Sequence, residues 1–322
     1  MDMEARRRRR EEARRRTLRQ RRLAGGVLLV ALLSGLALLG FALTGSSESE
    51  PEEEADAPAK PPELPRGGRR IFPDWRVVAY YGAPQAEELG ALGIGRPAAA
   101  GRRLERQARP YRRGGRPVLP AFELIATIVQ SAPGEDGDHA QRQEPAVIGR
   151  YLRAARRLRA LLILDVQPGQ APFLEEVRAL EPFLREPDVS LALDPEWSMD
   201  PGELPGQSIG STDSATVNAV SRYLSRIVRE GNLPQKLLVI HRFTRDMIDD
   251  ESRLARDPGV ALTVNVDGFG DRPNKISKYR EFTRGERDRH HGFKLFYRED
   301  LNLMRPRDVL RLRPRPELVV YE

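Results

Sequence analysis

The segment Ser190-Leu-Ala-Leu-Asp-Pro-Glu-Trp197 ends an apolar run with two carboxylates two residues apart. On an extended strand, side chains alternate between faces. Ser190, Ala192, Asp194 and Glu196 therefore share one face, and Val189, Leu191 and Leu193 the other. Pro195 offers no N–H to a ladder and biases Asp194 towards an extended backbone, which suits a strand that stops there. Paired carboxylates at such a place suit glycoside hydrolysis, in which one acid protonates the leaving oxygen and another carboxylate attacks or activates water. Glu196 is the candidate acid/base and Asp194 its modulator, with Glu123 or Asp267 as the opposing carboxylate. Trp197 supplies either a flat face for a sugar ring or a cap on the fold. The competing reading makes Asp194 and Glu196 hydrogen-bond acceptors that tie loops to backbone N–H groups.

Other short apolar runs end in the same way. Asp165 and Gln167 close one, His241 follows Leu237-Leu-Val-Ile240, and Glu123 and Asp267 close two more. Carboxylates converging on one place repel each other and raise each other's pKa, a cost that a purely structural fold avoids. His241 with Glu123, Asp165 and Asp267 has the donor types of a metal site. However, no H-E-x-x-H motif is present, and the adjacent His290 and His291 point to opposite faces of a strand. The expectation is therefore no metal and no cofactor. Lys294, inside Gly292-Phe-Lys-Leu-Phe-Tyr297, is either a Schiff-base amine or, more simply, paired with a carboxylate. Tyr80, Tyr81, Gln167, Trp197 and Lys294 are the candidate substrate-binding residues, with only one of the two tyrosines able to face the site. Asp267-Gly-Phe-Gly270 reads as a tight turn, and the polar stretch Ser131–Gln143 as a mobile lip.

Eight short apolar runs must position these groups: Arg76–Gly82, Pro117–Glu123, Leu161–Gln167, Val189–Pro195, Lys236–Arg242, Ala261–Asp267, Gly292–Tyr297 and Leu318–Glu322. Helical patterns fill most gaps, over Glu144–Arg159, Ala171–Leu184, Ser214–Glu230, Thr244–Ala255, Asn274–Arg284 and Arg305–Leu312. Strands alternating with helices imply parallel units, and near-continuous apolar strands imply burial on both faces. Eight of them predict an α/β protein with a single (β/α)8 TIM-type barrel over residues 71–322, with its chemistry at the C-terminal strand ends. No G-x-G-x-x-G follows the first strand and no P-loop occurs, so nothing points to a nucleotide crevice. The chain stops on the eighth strand, and Arg70–Trp75 is expected to cover the place of the missing last helix.

The rest of the chain speaks of location. With no cysteine, disulfides, thiolate nucleophiles and Cys-ligated metals are excluded. Residues 1–22 hold eleven Arg against four acidic residues and so account for the whole formal charge of +7. The neutral body lacks the basic face that a phosphate-backbone binder needs, and no nucleic-acid partner is expected. Residues 23–44 are 22 consecutive uncharged residues, long enough for a transmembrane helix across a hydrocarbon core of about 30 Å. The positive-inside rule keeps the basic tail 1–22 in the cytoplasm and places the C-terminal domain outside, on a single-pass protein of the cell membrane. Residues 45–70, rich in Pro, Glu and Ser, read as a disordered linker.

Leu164-Asp-Val-Gln-Pro-Gly169, the Leu191-Ala-Leu-Asp-Pro-Glu-Trp197 motif, Leu233-Pro-Gln-Lys-Leu-Leu-Val-Ile-His241 and Gly292-Phe-Lys-Leu-Phe-Tyr297 resemble segments of an uncharacterised family of exported or membrane-anchored actinobacterial proteins. The resemblance spans about residues 76–322. It implies an envelope location and brings no activity with it. The likeness to barrel glycosidases is architectural, and the chitinase pattern D-x-x-D-x-D-x-E is absent around Glu196. The sequence thus predicts a hydrolase acting on carbohydrate or another cell-envelope ligand. The rival expectations are a non-catalytic module that binds a glycan or a protein, and a metal-dependent phosphodiesterase or esterase.

Overall fold

The computed structural model describes residues 60–134, 136–286 and 289–322. The predicted cytoplasmic tail, membrane span and residues 45–59 of the linker lie outside the described residues. Among those described, no helix is long and apolar enough to cross a membrane.

All eight apolar runs form strands: β1 Arg76–Gly82, β2 Val118–Val129, β3 Leu161–Val166, β4 Val189–Leu193, β5 Lys236–Arg242, β6 Val260–Val266, β7 His290–Leu295 and β8 Leu318–Tyr321. Each pairs in parallel with its neighbour in chain order, and β1 pairs with both β2 and β8. The sheet therefore closes into an eight-stranded parallel barrel of the TIM type. Alternation divides the apolar residues into two groups. Val77, Ala79, Leu119, Ala121, Ile163, Val239 and Val320 fill the interior, while Val78, Phe122, Leu164, Leu238 and Val319 pack outwards against the helices.

The outer layer is α1 Pro97–Ala108, α2 Pro145–Leu158, α3 Phe173–Ala179, α4 Glu181–Leu184, α5 Ser214–Glu230, α6 Arg272–Phe282 and the single turn α7 Pro306–Val309. Asp213 caps α5 by accepting the Thr216 N–H at 2.7 Å, and Asp271 caps α6 through Asn274. The sequence pattern does not announce α1, because its buried stripe is mostly small, with Ala100, Gly101 and Ala108 around Leu104. Conversely, the helix expected over Thr244–Ala255 does not form. Its apolar Met247 and Ile248 are adjacent instead of three or four residues apart. Ile248–Asp249 pairs with Thr212–Asp213, Asp250 is left-handed at φ 53°, and a 3-10 turn over Glu251–Arg253 follows. Asp and Ser side chains that compete for nearby backbone groups favour this outcome over helix.

Residues 60–75 depart from expectation as well. The linker was predicted to run to residue 70, yet Leu64 is buried. Arg66 donates to the Val118 and Arg159 carbonyls, and Arg69 to those of Asn232 and Leu233. Arg70–Trp75 does not lie over the outer face of β8 as expected. Ile71 and Phe72 pack into the interior group beside Leu119, Leu161 and Leu318, residues at the strand starts. The Ile71 and Phe72 N–H groups donate to Gln235 Oε1 at 2.7 and 3.1 Å. The segment therefore plugs the N-terminal end of the barrel. The outer face of β8 is covered instead by the 3-10 segment Arg109–Gly114, whose Tyr111 meets Tyr321 hydroxyl to hydroxyl at 2.6 Å.

A plug that seals an apolar interior contributes through its burial. Phe72→Ala should lower the unfolding free energy of the chain by about 3 kcal/mol in equilibrium urea denaturation, whereas truncation of the half-buried Trp75 should cost clearly less.

Candidate active site

A pocket of about 310 Å³ opens at the C-terminal ends of the strands. Tyr81, Gln167, Asp194, Glu196, Trp197, Asp267 and Lys294 line it, so seven of the residues singled out from sequence meet there. A broader groove of about 940 Å³ lies along α6 among Arg245, Arg272, Arg280 and Arg284, and it holds none of the strand-end groups.

The remaining four candidates lie elsewhere. Glu123, Asp165 and His241 are 0, 0 and 1% exposed and sit beneath the pocket in the barrel interior. None of them lines the pocket wall, so Glu123 is not the opposing carboxylate. Tyr80 is no substrate-binding residue either. It points outwards, edge-on to Tyr297 and Tyr321, because the strand pleat gives the interior to Tyr81. The stretch Ser131–Gln143 is not a lip. Ala140–Arg142 pairs antiparallel with Thr127–Val129, Arg142 binds Glu176 at 2.6 Å, and nothing from this hairpin reaches the pocket.

The strand carrying the motif ends at Leu193, and Pro195–Trp197 forms a 3-10 turn. Glu196 and Trp197 thus reach the pocket through this turn, not through the pleat. Three groups missed by sequence reading join them. Glu322 ends the inward series Leu318, Val320, Glu322, a signal available to alternation. Phe296, two residues after Lys294 in its run, carried the same signal, whereas Phe243 arrives from a strand-end loop and carried none. Phe269, 60% exposed, stands at the rim with its ring 6.5 Å from Phe243 and 6.0 Å from Phe296.

Charges inside the barrel are paired around Asp267. Its Oδ2 lies 2.9 Å from His241 Nδ1 and 3.1 Å from Lys294 Nζ, and its Oδ1 accepts the Gly268 N–H at 2.6 Å. Gly268 is necessary at φ +106°, and a Cβ there would come within 2.6 Å of Lys278 Nζ. Lys294 also binds Glu322 at 2.8 Å and lies 3.9 Å over the Tyr81 ring. Below them, His241 Nε2 faces Glu123 Oε1 at 3.0 Å and Asp165 Oδ1 at 3.8 Å. Tyr81 donates to Asp165 Oδ2 at 2.9 Å, and Gln167 donates to the Tyr81 hydroxyl at 3.1 Å.

These pairings push the titrations apart. Burial alone would raise Asp267, but Lys294 and His241 outweigh it and hold the carboxyl well below the usual range. Burial raises Asp194 well above its ordinary value, with Asp165 and Glu196 adding repulsion against the pull of His241 and Lys294. Burial and nearby Asp267 raise Glu196, burial raises Glu322 against the pull of Lys294, and burial with Glu123 pushes Asp165 up to about 6. Lys294 is lowered by burial but pulled well above its usual value by Asp267, Glu322 and Asp194. Lys294 is thus paired with two carboxylates, the simpler of the two expectations for it. One pocket thus offers two carboxyls raised mainly by burial, Asp194 and Glu196, near one held low by its cationic neighbours, Asp267.

A buried carboxyl raised in the folded state stabilises the fold while protonated, and that contribution is lost as pH rises from the unfolded value through the folded one. Asp194→Asn should therefore raise the melting temperature at pH 7.5 and leave it nearly unchanged at pH 4; an equal shift at both would show that Asp194 is not strained by its charge. No protein-family model matches the chain, and no curated protein matches it in sequence.

Proposed function

We propose that this chain is a membrane-anchored glycoside hydrolase of the cell envelope, with Glu196 as its acid/base and Asp267 as the opposing carboxylate. The observation that carries this reading is the divergence of carboxyl titrations within one pocket: Glu196 raised and Asp267 lowered. Two carboxyls whose environments separate them in this way are suited to acid and base roles. Glu196, half-buried on its turn and raised above its ordinary value by burial, gives its proton to the departing glycosidic oxygen. Asp267, held ionised by Lys294 and His241, supports the positive charge that develops at the sugar carbon. Tyr81, Trp197 and Phe243 supply apolar walls against which a sugar ring packs.

The envelope location rests on the 22-residue uncharged stretch 23–44 behind its arginine cluster, and agrees with the resemblance to exported and anchored actinobacterial proteins. The chain should remain in the membrane fraction after alkaline carbonate washing; release into the wash would refute a retained anchor.

Reducing-end release from a panel of envelope and environmental polysaccharides tests the activity. Glu196→Gln should lower kcat by about 10²- to 10⁴-fold, and a panel on which the unaltered chain is silent would instead favour a binding module. The sign of the pH dependence follows from the same shifts. Activity should fall as pH rises through the elevated Glu196 value, while Asp267, lowered, imposes no loss on the acid side down to about pH 4.

A further inference from the structure

We propose that Glu123, Asp165 and His241 form a buried site for one small divalent cation of the Zn²⁺ or Mn²⁺ class, seated beneath the pocket. The inference does not rest on the hydrolase reading. The three residues come from β2, β3 and β5, and one donor atom of each lies within 4.8 Å of the others. Nε2 of His241 is 3.0 Å from Glu123 Oε1 and 3.8 Å from Asp165 Oδ1. Ligands of a tetrahedral ion with bonds near 2.0 Å stand about 3.3 Å apart, between these two separations.

Two wholly buried oxygens, Glu123 Oε2 and Asp165 Oδ1, have no hydrogen-bond partner. Buried carboxylate oxygens left unpaired are costly, and a bound cation is one way to satisfy them. A proton on His241 Nε2 does not remove the difficulty, since its hydrogen bond goes to Glu123 Oε1 and leaves both orphans as they are. A metal ion reached by the Nε2 lone pair takes the place of that proton and engages both carboxylates.

The far side of each ligand is already oriented, as outer-shell partners of a metal site are. Asp267 faces His241 Nδ1 at 2.9 Å, which fixes the tautomer with a free Nε2. Asp267 is itself steadied by Lys294 and Gly268. Tyr81 holds Asp165 Oδ2, and Gln167 holds Tyr81. Charge argues in the same direction. Glu123, Asp165, Asp267 and Glu322 surround the barrel centre, with Lys294 paired to the last two, so a dication relieves an excess of negative charge. Because Glu123 and Asp165 do not line the pocket, the ion braces the pocket floor and does not touch substrate.

The test uses the full chain, purified without chelator or added metal, and then stripped and titrated with Zn²⁺ and with Mn²⁺. Elemental analysis should find one ion per chain, and the stripped protein should melt at a temperature that rises with the logarithm of metal concentration. Glu123→Gln and Asp165→Asn should each weaken binding by at least about tenfold, and Glu196→Gln should keep the metal although it removes turnover. Should the ligand variants fail to fold, the absorption of the Co²⁺-loaded unaltered chain reports N/O coordination directly. No ion in the purified chain together with no thermal shift, or binding unchanged in folded ligand variants, would overturn the proposal and assign the Nε2 position to a proton. Neither result bears on Glu196, so failure here and failure of the hydrolase reading are separable.

Discussion

Asp267 is the charge on which the interior of this barrel depends. It is almost wholly buried, at 6% exposure, and its position requires hydrogen-bond donors on two sides. Lys294 from β7 and His241 from β5 provide them, each within about 3 Å, and the Gly268 N–H completes the shell. Those three contacts dictate further choices. Gly268 must be free of a side chain at φ +106°. Gly292 must also be bare, since a Cβ there would lie 2.4 Å from Asn265 Oδ1 next to the His241 ring. Tyr81 takes the inward face of β1 and lays its ring under the Lys294 ammonium. Removal of any one charge would leave another buried without a partner, which is why the group acts as a unit.

The architecture tolerates this polar centre because the sealing is done elsewhere. Between β5 and β6 the chain forms no α-helix, only the short strand Ile248–Asp249 and a 3-10 turn. Ile71 and Phe72 close the strand-start end with apolar side chains, while Gln235 satisfies their backbone N–H groups. Tyr111 and Tyr321 close the seam between the last strand and the first helical layer. With one end plugged and the flanks packed, the pocket among the strand-end carboxyls lies at the C-terminal mouth. The carboxyls there shift their titrations mainly because water is kept from them.

The polar residues fall into two levels with different duties. Asp194, Glu196, Asp267, Lys294 and Glu322 face the pocket; Glu123, Asp165 and His241 lie below, out of reach of a ligand held there. Tyr81 and Gln167 belong to both levels, touching the pocket and steadying Asp165. A change at the lower level is therefore transmitted to the upper one through His241 and Asp267, whose contact spans the two.

Much of this was legible in the residues. Apolar runs of strand length separated by helical patterns pointed to a parallel sheet buried on both faces, and their number, eight, favoured closure into a barrel over an open sheet. Period-two alternation also determined that Asp194, Asp267 and Lys294 turn inwards, and it contained Glu322 at the end of its own strand. What alternation lacks is height along the barrel axis. That coordinate depends on the stagger between strands, which separated Glu123, Asp165 and His241 from the pocket that Asp267 and Glu196 line. It lacks the course of irregular backbone as well. The 3-10 turn that presents Glu196, the plug at Ile71 and Phe72, and the extended path in place of a helix after Phe243 all arise from contacts between residues distant in the chain. Only the folded structure decides which partners those segments find.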